Sequence, residues 1–198
     1  MTPTDRAFAL KGLDLSRERM LRAVQRLSRE QLEYRPAADR WSVAENLEHV
    51  IVSERYVLGR VKGLVQEAPD SSRQSHWGGR DEPLVRKVAE RGLDRGQAPD
   101  AFLPIGRWPI QQLVPEFEAA RALSRAFAAS TQGDLRRHFF RHPVLGGELD
   151  GVQWLLLIGA HCYRHCTQSE EVIASPGFPR HSERAAARRP PESDLQHL

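Results

Sequence analysis

Residues 154–172, WLLLIGAHCYRHCTQSEEV, place two histidines, His161 and His165, four residues apart in an apolar run, each followed by a cysteine. In a helix, side chains at i and i+4 stand one turn apart on one face, a spacing at which two imidazoles can hold a single metal ion. Advancing about 100° per residue, Trp154, Ile158, His161, His165 and Val172 fall on one stripe, while Tyr163, Arg164, Thr167, Glu170 and Glu171 lie opposite. Both imidazoles therefore point to the side that the helix buries. Burial without a partner is costly for an imidazole, and one divalent cation would serve two of them. Histidines hydrogen-bonded within a core would satisfy the same pattern, and spacing and face do not decide between the two.

The chain carries eight histidines, so the spacing alone is weak, and a second pair acts as a control. His138 and His142 are also four apart, but Pro143 pushes His142 out of helical geometry. Two neighbouring chemistries are excluded by residue type. The H-E-x-x-H of zinc peptidases needs Glu at 162, where Cys stands, and the Glu-x-x-His pairs of di-iron bundles fail at Ile158, Cys162 and Asn46. Cys162 and Cys166, the only cysteines, would make a strained intrahelical disulfide, so they are expected as free thiols in a reducing compartment. Lying about 100° round from the histidines, towards Leu155, Ser169 and Ile173, they are expected to pack as small apolar groups, with a redox or ligand role as the alternative.

The elements that must position these groups are helical. Thr2-Pro3-Thr4-Asp5 has the form of a capped start, and Phe8, Leu13, Met20, Leu21, Val24 and Leu27 continue a helical period to about Ser28. After a connector with Pro36 and Asp39, Ser42 and Glu45 form a capping box that opens a second helix reaching about Gln66. Glu45 is thereby assigned to the cap, and it and Glu48 are the carboxylates nearest in sequence to the histidine of that helix, His49. His49 is the available third ligand, yet it lies about 150° from the Val43-Leu47-Val50-Ile51-Leu58 stripe and by periodicity alone would be exposed. Residues 68–109 are rich in proline, with one short helix expected near Leu84 to Arg91, and form a long connector. A third helix is expected from about Pro115 to Gly133 and a fourth from about Leu149 to Ala174, with no clear strand. Four long helices predict an all-α four-helix bundle spanning residues 1–174, followed by a flexible tail over 175–198.

Composition limits the function classes. The net charge of +3 is modest, and the arginines are scattered among acids, so nothing argues for nucleic acid. No signal core and no membrane-length apolar stretch is present, and a cytoplasmic location is expected. Among the aromatics, Trp41 is expected to anchor the entrance of the second helix or line a pocket, and Trp77 and Trp108 either to close over a ligand or to form a satellite core. Gln168, one turn beyond His165, could donate to an imidazole.

The segments WSVAENLEHV and HPVLGGELDGVQWLLLIGAHCYRHCTQSEEV, in that order, resemble the DinB/YfiT-like superfamily of bacterial proteins. The resemblance extends from the first helix to about Ile173, and rests on the Trp-Ser helix opening, the His-Pro…Gly turn and the terminal H-x-x-x-H. It implies up-down-down-up connectivity, a homodimer, and a divalent ion at one end of the bundle held by three histidines. Carried over by motif, these are His49, His161 and His165, and zinc, nickel, iron and manganese have been associated with such sites. The implied partner is a small-molecule substrate, with no membrane and no nucleic acid. Transfer of a low-molecular-weight thiol to an electrophile, hydrolysis of an amide or ester, and a non-catalytic metal-binding or stress-response role are the three activities it leaves open. Cys162, Cys166 and the Pro-rich connector depart from the family pattern.

Overall fold

The computed structural model describes residues 1–90 and 98–180. Its α-helices are α1 (Pro3–Val24), α2 (Arg29–Glu33), α3 (Val43–Leu64), α4 (Asp81–Ala89), α5 (Ile110–Ser130) and α6 (Gly151–Ala174), with a 3-10 turn at Asp100–Phe102. Capping follows from the local sequence. Thr2 with Asp5, Ser28 with Gln31, Ser42 with Glu45, and Asp150 with Gln153 each close a reciprocal capping box.

The expected helices are present, with three changes. The first does not run to Ser28: it stops at Val24, and Ser28 instead caps the separate α2. The third begins five residues early at Ile110 and carries Pro115 inside it. A proline six residues into a helix forfeits one i→i−4 hydrogen bond, which flanking packing by Leu113 and Phe117 accommodates. In place of an all-coil link before α6, β1 (Phe139–Arg141) pairs antiparallel with β2 (Glu148–Asp150) in a hairpin of only three rungs. Gly146 and Gly147 supply its left-handed positions, and a Cβ on Gly147 would meet His76 at 2.8 Å.

Four long helices form a bundle in which α1 packs on α6, α6 on α3, α3 on α5, and α5 on α1. Side-chain contacts give the directions. Along α1 and α6, Gly12 meets Gly159, Ser16 meets Cys162 and Cys166, and Arg19 meets Glu170, so the two run parallel. On α5, Arg121 reaches Ser16 and Arg6 reaches Ala128, which sets α5 antiparallel to α1. Arg55 pairs with Glu116 and Val65 abuts Gly133, so α3 and α5 run together. Chain order α1, α3, α5, α6 is therefore up, down, down, up.

The core divides into an end around Leu13, Leu58, Leu135, Leu149 and Leu155, and an end around Met20, Val43, Ile51, Phe117 and Cys162. Between α1, α3 and α5 lies a fully buried ion pair, Arg121 to Glu54, with Arg121 also donating to the Leu13 carbonyl at 2.5 Å and to Ser16 at 2.6 Å. Of the connector, α4 packs on α6, and the 3-10 turn packs on α3. α6 ends at Ala174, but the chain packs on to Arg180: Phe178 is buried against Tyr34, and Pro179 accepts from Gln31. The rest of the expected tail, 181–198, lies outside the described residues. Among the described residues no helix is long and apolar enough to cross a membrane.

Candidate metal centre

The three histidines come together where α3 and α6 cross. His49 Nε2 lies 3.2 Å from His161 Nε2, and His165 Nε2 lies 3.2 Å from the same atom. Their ligand-bearing nitrogens all fall within 4.8 Å of one another. Two nitrogens bound at about 2.05 Å to one tetrahedral ion stand about 3.3 Å apart, so the observed spacing fits shared ligation of one ion as well as it fits an N–H···N hydrogen bond.

Nδ1 of His49 is 2.8 Å from the Phe102 carbonyl oxygen, which can only accept, so Nδ1 carries the hydrogen. Nδ1 of His165 is 2.9 Å from Asn46 Oδ1, while the Asn46 amide nitrogen donates to the Ser42 carbonyl at 2.9 Å, which fixes its oxygen towards the histidine. In the neutral rings both Nε2 atoms are then bare acceptors, aimed at a third imidazole nitrogen. A hydrogen on His161 Nε2 serves one of them at a time, whereas a divalent ion would take all three lone pairs at once, and the donor set fits such an ion.

Electrostatics act in the same sense. Burial holds His49 below the ordinary imidazole range, against a smaller opposing effect from the Phe102 carbonyl. His161 is pushed well below it by burial, and then by the charges of His49, Arg164 and His142. Neutral imidazole is the form that binds metal. Trp41 lies over the triad, its ring 4.9 Å from that of His49 and 6.1 Å from that of His165, so it lines the site as well as the helix entrance.

His49 is buried despite its periodicity because the connector covers that face of α3. Glu48, also buried, accepts from the backbone N–H groups of Ile105, Gly106 and Arg107 at 3.0–3.2 Å and from the Arg107 guanidinium at 2.9 Å. Those bonds hold its carboxyl below the usual range against burial, which acts the other way and is the largest single influence. The loop so fastened brings Phe102 onto His49. Of the three histidines only His161 keeps some exposure.

Other expected groups lie elsewhere. Cys162 and Cys166 are fully buried free thiols against the Ser16 carbonyl, each at 3.7 Å, on the α1 side of α6. Trp77 packs in the apolar cluster beside α4, with Lys87 5.3 Å over its ring, and Trp108 in the cluster beside α5, with Arg55 at 5.1 Å. Both are partly buried against the two main apolar clusters. The oxygen that orients His165 comes from Asn46. Asn46 could have been found, since it precedes His49 by three residues and so shares its flank of α3. The Phe102 carbonyl carries no side-chain signal.

A helical bundle of up-down-down-up topology with three convergent imidazoles defines the class. The DinB superfamily model matches residues 13–169, and the chain belongs to that family. It is 30% identical over 148 residues to the uncharacterized protein YuaE of Bacillus subtilis (strain 168), a match covering 74% of this chain and 85% of that one. Among solved structures it is similar to YfiT from Bacillus subtilis, described as a probable metal-dependent hydrolase with an unusual four-helix bundle topology. There the TM-score is 0.53 at 17% identity, covering 90% of this chain and 91% of the other, a likeness of fold.

Proposed function

We propose that His49, His161 and His165 hold one divalent metal ion and that the chain is a metal-dependent hydrolase acting on an ester or amide bond of a small molecule. The observation that carries this is the convergence of three Nε2 atoms, two of which have their Nδ1 hydrogens committed to Phe102 and Asn46. An ion held by three neutral imidazoles keeps its full charge and an open position, and there can acidify water and polarise a carbonyl. Zinc, nickel, iron and manganese all suit such a donor set.

The protein's own part is to fix ring orientation through Asn46 and the Phe102 carbonyl, to cover His49 and His165 with Trp41, and to leave His161 partly exposed. The α3 carboxylates are not free to act as bases. Glu45 is bound to the Ser42 N–H and Arg35, Glu48 to the 105–107 loop, and Glu54 to Arg121. The similarity to YfiT, through that protein's description, favours hydrolysis; thiol transfer finds no support among the relatives. A homodimer and a cytoplasmic location complete the proposal, the former read by light scattering as twice the 22.5 kDa chain mass.

The decisive measurement is elemental analysis of protein purified without a nickel column or histidine tag, beside the Ala variants of His49, His161 and His165. About one ion per chain is expected, lost in each variant, together with metal-restored hydrolysis within a panel of esters and amides. Full metal content in all three variants would overturn the ligand set. Bound metal without hydrolysis would move the protein to the non-catalytic metal-binding reading.

A further inference from the structure

A fourth histidine, in the hairpin and not in the triad, is built with unusual care. His142 follows β1, and its Nδ1 accepts the backbone N–H groups of Val144 at 3.1 Å and Leu145 at 3.0 Å. Two donors on one ring nitrogen leave it no hydrogen of its own, so a neutral His142 carries its hydrogen on Nε2. Burial pushes the ring's pKa down to about 4, which keeps it neutral near pH 7. Among the described residues no group accepts from that Nε2–H.

The ring is also clamped. It stacks on Trp154 at 4.8 Å and 19°, Trp154 stacks in turn on Phe140 at 3.8 Å, and the Trp154 indole N–H donates to the Phe140 carbonyl at 3.1 Å. Trp154 precedes His161 by seven residues, about two helical turns, and so lies on nearly the same face of α6, about 10 Å away along the axis. His142, stacked on Trp154, therefore stands over the face of α6 that carries His161 two turns further on. The hairpin thus holds an N–H donor with a fixed hydrogen over the α6 face that carries His161.

We propose that His142 is a substrate-binding residue whose Nε2–H donates a hydrogen bond to an oxygen of the molecule seated at the triad, at the end directed towards the hairpin. This rests on the metal-site proposal and narrows the substrate class to small acyl compounds that carry a second oxygen acceptor, such as a carboxylate or carbonyl, remote from the reacting bond. A neutral donor discriminates by geometry and does not require a charged ligand.

Two substitutions separate this role from a structural one. The Asn side-chain oxygen can take the place of Nδ1 and keep the Val144 and Leu145 bonds, but it has nothing at the Nε2 position. The longer Gln can place an amide N–H near the Nε2 position while giving up the acceptor of the turn. The protein would be loaded with cobalt, and its visible spectrum titrated with dicarboxylates from malonate to adipate, alongside metal analysis and thermal melts. For at least one chain length, His142→Asn is expected to weaken binding about tenfold, with metal content unchanged and a cooperative melt retained, and His142→Gln to retain most of the affinity. Unchanged binding in His142→Asn at every length, absence of dicarboxylate binding to the cobalt-loaded protein, or equal losses in the two variants would overturn the proposal. A protein that takes up no cobalt would instead overturn the metal-site reading beneath it.

Discussion

Asn46 has no contact with substrate to offer, yet the site depends on it. Its oxygen holds His165 in one tautomer and its amide is tied to the Ser42 carbonyl at the capped start of α3, so helix geometry is transmitted to a ligand orientation. Asn46→Ala should lower metal affinity about 10- to 100-fold with the helical content retained, measured by competition with a chromophoric chelator. Affinity equal to the parent's would show that Asn46 does not orient the ligand. At this scale the sequence was uneven. His161 and His165 share the buried stripe of an amphipathic helix, so their common face is legible from period alone, whereas the choice between a metal and hydrogen bonds as their partner is not. His49 was found by family resemblance only, because the angular count assumes one buried stripe, whereas α3 is covered by α6, by α5 and also by the 3-10 turn and the loop that Glu48 fastens. Polar residues at 46, 48 and 49 are all buried there, and no hydropathy pattern announces a face buried by a loop.

Helix contacts set the reach of each ligand. α1 and α6 approach most closely at Gly159, where an added Cβ would lie 2.8 Å from the Gly12 carbonyl carbon and 2.9 Å from its oxygen, backbone atoms that cannot turn aside. Gly159→Ala must separate the helices two residues before His161, and should cost about 1–3 kcal/mol in denaturant unfolding. Gly12 is the converse case: its own Cβ would meet nothing within 4 Å, so Gly12→Ala should be neutral or stabilise by up to about 1 kcal/mol through helix propensity. Equal effects of the two changes would contradict this crossing. Element existence was legible where long periodic runs and capping boxes coincide, as in α3 and α6. The break between α1 and α2 is written in Ser28 and Gln31, a capping box inside an otherwise continuous apolar period. Pro115 misled for a physical reason: proline favours the first helical turn, but α5 already begins at Ile110, with no side-chain cap to mark it.

For the molecule as a whole, the parallel pairing of α1 with α6 and of α3 with α5 leaves one interior locus that binds three helices at once. Arg121 on α5 meets Glu54 on α3 through two nitrogens at 2.9–3.0 Å, and reaches Leu13 and Ser16 on α1, with both charged side chains at most 2% exposed. Removing water from two charges costs several kcal/mol apiece, and only their mutual attraction and the additional hydrogen bonds offset it. The arrangement is therefore expected to select a register among the helices more than to add stability. Glu54→Ala would leave a guanidinium buried without its counter-charge and should destabilise by about 3–5 kcal/mol, roughly 10 °C or more in melting temperature for a chain of this size. Replacing both partners by apolar residues of similar volume, Glu54→Leu with Arg121→Met, should restore most of that loss. If the pair serves register, the doubly substituted protein will melt near the parent temperature yet bind metal less tightly, because α3 carries His49 on the same rigid element. If it serves stability, the double variant will melt as low as the single one. Calorimetry and a metal titration on the same three proteins distinguish the two outcomes.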